Sequence, residues 1–235
     1  MFAINHAAAA LIVKRRFPDV SLIPILVGAQ LMELLWVALN FLGIERTTTE
    51  ATVRYVGDIH LVYMPFSHSI ATMVAVGLAA WLAGTLVGRS RWGLAIGIAI
   101  VSHLLLDLIT HDRDIALAPL MTGAEYGTRL YNTLPVAAFV LELGFGLLCW
   151  RIYRGGRALL AIIVVFNVAN ASLFSSFIPG PEQLFANRPM VLTGVILFQI
   201  VITLWAVWWG AKRSPQPPAP TAEGETIPAV LVPAP

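Results

Sequence analysis

The sequence predicts an all-α, polytopic helical membrane protein of about six to seven apolar helices, and three observations carry that expectation. Of its 235 residues 58% are hydrophobic and only 12% are charged, about half the charge of an ordinary soluble domain. The mean hydropathy is +0.79. Apolar runs of about twenty residues, enough to cross a ~30 Å hydrocarbon core, recur along the chain between polar turns. A formal net charge of +2, with no Lys/Arg patch interleaved with aromatics, excludes a nucleic-acid partner. The single Cys149 excludes an internal disulfide or a cysteine-built zinc site, and its apolar surroundings make it a buried, inert thiol.

The first run, residues 2–13, is rich in alanine and too short to cross alone. It is a short helix whose Asn5 and His6 end stops inside the protein. It lacks a basic leader and is followed by Lys14-Arg15-Arg16 instead of a small-residue cleavage site, so no cleavable signal is expected. Residues 20–44 form a second segment with Gln30 and Glu33 near its middle. A polar stretch leads to a third segment, residues 65–88, where Pro65 suits a first helical turn and Ser67 or Ser69 suits a cap. The fourth covers 92–109. The fifth, 134–153, carries Glu142; the sixth, 158–177, carries Asn167 and Asn170 and ends at Pro179-Gly180-Pro181. The seventh, 190–211, closes on Trp205, Trp208, Trp209, Lys212 and Arg213. Residues 1–213 thus form one membrane domain, and the Pro/Ala-rich 214–235 a disordered tail.

Ten of the fifteen basic residues fall on alternate turns: Lys14, Arg15, Arg16, Arg89, Arg91, Arg151, Arg154, Arg157, Lys212 and Arg213. The positive-inside rule puts those turns and the C-terminus in the cytoplasm, for a protein of the bacterial inner membrane. All five histidines then lie toward the outer face.

The chemistry-bearing stretch runs from Ser102 to Asp114. His103, Asp107 and His111 are spaced four apart and share one helix face. Imidazole and carboxylate at membrane depth survive by pairing, by binding a metal or by lining a wet pathway. His6, His68, His103 and Asp107 come from three segments that end at similar depth, with Glu33 reaching from a fourth, and this donor set suits a divalent metal, zinc first. His60 and His111 stand at loop edges, with mouth or supporting roles. Glu142 is expected to pair with Arg129 or a site histidine. Ser67 and Ser69 read as caps, and Asn167, Asn170 and Gln199 as helix-joining residues. Gly77, Ala79, Ala80, Ala83 and Gly84 read as close helix packing.

The series Asn5-His6-Ala7-Ala8, Gly28-Ala29-Gln30-Leu31, Met64-Pro65-Phe66-Ser67-His68-Ser69, Ser102-His103 through Asp107 to Thr110-His111 and Asp114, then Gly127-Thr-Arg-Leu-Tyr131-Asn132 and Glu142 resembles the bacterial YdjM-like family of membrane-bound metal-dependent hydrolases. The similarity covers residues 1–155. It implies metal positions at His6, His68, His103 and Asp107, with Asp114 and Asn132 as characteristic polar positions, and phosphoester chemistry by analogy with zinc phospholipases. The chain departs from the family pattern at Met32-Glu33, where a Pro-Asp pair is usual, and at Tyr131, where Trp is usual.

The expected function is a metal-dependent hydrolase acting at the outer leaflet on a phosphate-bearing lipid or other amphipathic substrate, with Glu33 or His111 moving the proton. Two alternatives remain open at this point: a proton- or ion-coupled transporter, and a non-catalytic membrane protein with a structural metal.

Overall fold

In the computed structural model, which describes residues 1–119, 121, 123–178 and 180–214, the chain is mostly helical. The helices are α1 (Ala3–Arg16), α2 (Leu22–Phe41), α3 (Ile70–Leu86), α4 (Ser90–Thr110), the single turn α5 (Leu130–Thr133), α6 (Pro135–Tyr153), α7 (Arg157–Val168) and α8 (Pro189–Lys212). Four of them, α2, α4, α6 and α8, are long and apolar enough to cross a membrane. This corrects the expectation of six to seven.

The shortfall has local causes. α3 starts at Ile70, because the Ser69 hydroxyl accepts the Thr72 amide at 3.3 Å and caps the helix there. Pro65 to Ser69 is left as a non-helical approach. α7 stops at Val168 instead of running to 177, because the chain tightens into a 3-10 turn at Ala171–Phe174. Both helices are apolar but hold only 17 and 12 residues. The tail from 215 onward, expected to be disordered, and Pro179 lie outside the described residues.

The polar stretch after α2 forms an antiparallel hairpin, β1 (Arg46–Thr49) with β2 (Ile59–Tyr63), and a two-residue ladder joins β3 (Ile115–Ala116) to β4 (Glu125–Tyr126). These lie at one end of the bundle, the end that also holds the start of α1 and the close of α4.

α1 is the central post, in contact with α2, α4, α6, α7 and α8. Ala7, Ala8 and Ala10 are fully buried, and their small side chains let the neighbours close in. α3 packs on the outside of α4, where a Cβ added at Gly97 would stand 2.5 Å from the Gly77 carbonyl oxygen. The ten basic residues named above cluster at the other end of the bundle, on the ends of α1 and α8 and the α3–α4 and α6–α7 turns. Arg91 pairs with Asp19 at 2.8 Å, and the Gly156 amide donates to Ser214 Oγ at 2.9 Å, tying those turns together.

Candidate metal centre

His6 lies on the first turn of α1, and the anchoring of that turn explains its position. Glu142 of α6 accepts hydrogen bonds from the Phe2 amide at 3.0 Å, from Asn5 Nδ2 at 2.6 Å and from the Tyr131 hydroxyl. Burial and the adjacent carboxylate push the Tyr131 hydroxyl well above its ordinary range, so it keeps the proton that it donates. Gln30 of α2 donates to the Ala3 carbonyl at 2.5 Å. Glu142 therefore holds α1 by its free amides. The expected pairing of Glu142 with Arg129 or a histidine is corrected, because Arg129 pairs with Asp112 at 2.8 Å.

His68 sits on the approach to α3, and its ring is set by a relay that sequence reasoning missed. Glu45, buried just before β1, accepts the Phe66 and Ser67 amides on Oε1, each at 2.8 Å, and the Ser67 hydroxyl on Oε2 at 2.6 Å. With its proton committed to the carboxylate, Ser67 Oγ must accept from His68 Nδ1, 2.7 Å away. That leaves the lone pair of His68 on Nε2. Ser67 is therefore not the cap; Ser69 is.

His103 reaches the same state by another route. Its Nδ1 lies 2.9 Å from the Ala29 carbonyl, which can only accept, so Nδ1 carries a hydrogen, and in the neutral ring, the form that binds a metal, Nε2 carries the lone pair. The ring stacks on that of His6, with centroids 3.8 Å apart.

These side chains converge with Asp107 and Glu33. His103 Nε2 stands 3.0 Å from Asp107 Oδ2 and 3.6 Å from Glu33 Oε2. His68 Nε2 stands 3.4 Å from Glu33 Oε2 and 3.7 Å from Asp107 Oδ2. His6 Nε2 is 3.2 Å from Asp107 Oδ1, which also accepts the Met1 amino group at 2.6 Å. Four ligands at ~2.0–2.2 Å around a tetrahedral zinc stand ~3.3–3.6 Å from one another, inside the span of these separations. Among the described residues, His68 Nε2, His103 Nε2, both ring nitrogens of His6 and Asp107 Oδ2 are buried without a hydrogen-bond partner. Lone pairs of neutral rings that face carboxylate oxygens repel, unless a cation or a proton lies among them. The donors form two overlapping triads, His6–His103–Asp107 and Glu33–His68–His103, joined by the 3.7 Å approach of His68 to Asp107, and their residue types and spacing fit a divalent ion.

His111 and Glu33, the two residues expected to move protons, flank this cluster. His111 caps α4, with Nε2 at 3.6 Å from Asp107 Oδ1 and Nδ1 at 3.3 Å from Asp114 Oδ1. The loop beyond it is pinned by Gly127, at φ +148°, where a Cβ would sit 1.8 Å from the Asp112 carbonyl oxygen. Only glycine fits there. His60 stands apart, bonded to Glu50 at 2.9 Å on the surface.

A cavity of about 610 Å³ opens against the cluster, well inside the usual range for small-molecule sites. Glu33, His68 and His111 face it, and Asp114, Tyr131 and Asn132 line its mouth together with Arg113. His6, His103 and Asp107 lie behind that face. No family model, curated protein or solved structure matches this chain, so the functional reading stands on this geometry.

Proposed function

We propose that this is a membrane-embedded hydrolase that depends on a divalent cation, zinc by its donor set, and that it cleaves a phosphate-bearing lipid or similar amphipathic substrate at the outer face of the bacterial inner membrane. The carrying observation is that Nε2 of His6, His68 and His103 and Oδ2 of Asp107 are buried without a hydrogen-bond partner among the described residues, while His6, His103 and Asp107, and Glu33, His68 and His103, form two overlapping triads at ligand spacing.

A bound cation would supply Lewis acidity and would make water acidic enough to attack near neutral pH. The chain supplies the rest. Glu33 has one oxygen near His68 and His103 and lines the cavity with its side chain 21% exposed, where it would take the proton of an attacking water. His111, held from behind by Asp114, presents its ring to the cavity and protonates the leaving oxygen. Arg113 at the mouth offers a cation to a phosphate. The basic turns at the opposite end support an outward-facing site.

The test is elemental analysis of purified protein, wild type beside His68→Ala and His103→Ala, after zinc loading and desalting. We expect stoichiometric zinc in the wild type and a large loss in both variants, together with wild-type phosphate release from lipid that a chelator abolishes. Near-zero metal in all three samples would sink the proposal. Metal without turnover on any lipid would leave a structural ion, and ion flux without turnover would leave a transporter.

A further inference from the structure

α7 and α8 are unequal neighbours. α7 holds 12 residues, ~18 Å of helix, against 24 residues and ~36 Å for α8. Past Val168 the chain leaves the bundle wall and turns inward, where Phe174 packs on Phe2, Tyr131 and Phe139 at centroid distances of 5.0, 5.7 and 5.5 Å. The first half of α8, at the site end, is left without α7 beside it, and the cavity fills that gap. It runs along α8 from Leu192 to Ile202, ~15 Å at the helical rise, which is one leaflet's share of a ~30 Å hydrocarbon core.

The cavity opens sideways. Val165, Val195 and Phe198 border it and are also 59%, 44% and 67% exposed on the bundle's apolar outer surface. Gln199 Nε2 donates to Asn170 Oδ1 at 2.9 Å and ties the end of α7 to α8 at the edge of this opening. At the inner end stand Glu33, His68 and His111. One turn along α2 from Glu33 is Trp36, which lines the cavity and whose buried indole N–H has no acceptor in the protein.

We infer that the cavity is a lateral lipid channel. One hydrocarbon chain of a membrane lipid enters between the end of α7 and the first half of α8 and lies along α8. The polar head reaches Glu33, His68 and His111. Only the cleavage of that head rests on the hydrolase reading; occupation of the channel does not. A water-soluble substrate would gain nothing from ~15 Å of apolar wall open to lipid.

The experiment uses full-length protein in nanodiscs of phosphatidylethanolamine and phosphatidylglycerol, doped with phosphatidylglycerol carrying a diazirine midway along one acyl chain. After illumination, adducts are located by peptide mass spectrometry and zinc is measured on the same samples. We expect adducts on Ile59 and Ile196, which line the cavity and pack against the buried cluster of Val53, Phe185 and Leu192, besides those on outward side chains. Ala169→Trp and Val195→Trp, on the rim, should cut these inner adducts about tenfold or more, with outer adducts and zinc unchanged. Val168→Trp is equally exposed but off the cavity, and should change neither. Adducts confined to outward side chains, or inner adducts as abundant in the rim variants as in wild type, would overturn the channel. Zinc separates the two proposals: inner adducts without zinc keep the channel and remove the hydrolase, and zinc without inner adducts does the reverse.

Discussion

Glu45→Gln changes one atom, and its effect can be followed bond by bond. The carboxylate accepts two backbone amides on Oε1 and the Ser67 hydroxyl on Oε2. Glutamine keeps the amide contacts only by placing its carbonyl oxygen where Oε1 was, which turns its NH₂ toward Ser67 Oγ. Two donors now face each other, so the Ser67 hydroxyl must swing to donate to His68 Nδ1, 2.7 Å away. The imidazole then carries its proton on Nε2, the atom that points at Asp107 and Glu33. Retaining the original tautomer instead forfeits a hydrogen bond to a charged group, ~1.5–3 kcal/mol. Changes to groups that orient a metal-binding histidine cost about 10–100-fold in affinity, or ~1.4–2.7 kcal/mol, in agreement. Zinc affinity measured by chelator competition should therefore fall about 10–100-fold in Glu45→Gln. Histidine ¹⁵N shifts of the metal-free protein should report the proton moving to Nε2 of His68. Ser67→Ala removes the relay without inverting it and should sit at the mild end. Wild-type zinc affinity in Glu45→Gln, with His68→Ala impaired, would refute the relay.

Three further outcomes follow from the fold. Glu142→Leu strands the Phe2 amide, Asn5 and Tyr131 as buried donors, which at ~1 kcal/mol each costs ~3 kcal/mol or more; a thermal or denaturant unfolding shift below ~1 kcal/mol in detergent would count against the anchor role. Gly97→Val drives a side chain into the Gly77 backbone and should destabilise by ~1–3 kcal/mol, whereas Gly194→Val, with nothing within 4 Å, should be neutral in the same melt. The Arg91 guanidinium beside Asp19 holds its carboxyl down from 3.8 to about 2. A lowered acid stabilises above its unfolded pKa and loses that contribution as pH falls through the folded one. Asp19→Asn should thus show its full difference from wild type above about pH 4 and converge with it as pH falls toward 2; a gap that widens in acid would reverse the assignment.

The legible parts of this molecule are those written in local periodicity. His103, Asp107 and His111 share a face because a helix repeats every 3.6 residues, and the apolar runs locate the helices to within a few residues of their observed ends. Alternating basic turns place His6 and His68 at the depth of His103, and their rings do meet there. What stayed hidden depends on tertiary partners. Glu45 is 22 residues from Ser67, and only the β1–β2 hairpin brings them together; no spacing rule links them. The end of α7 did leave a signal. Residues 169–177 hold Asn170, Ser172, Ser175 and Ser176, whereas 158–168 hold only Asn167, and at the break Asn170 donates its side-chain amide to the Phe166 carbonyl and accepts from Gln199. Arg129 was the outer-side cation expected for Glu142, yet Asp112 claims it and Tyr131 takes its place.

The run Ala7-Ala8-Ala9-Ala10-Leu11 also bears on the choice between hydrolysis and transport. Between the cluster and Lys14 this stretch of α1 carries no polar side chain. It packs against Ile25, Leu26 and Ala29 of α2, Ala95 and Ala99 of α4, Leu159 and Ile163 of α7, and Val207 and Ala211 of α8, all buried. Alanine lets these buried helices close tightly around α1. A proton or metal leaving the cluster toward the basic end would have to shed its hydration across this apolar stretch. On the proposed reading the cluster is instead approached from the cavity side, and that favours an enzyme acting on a membrane lipid over a carrier.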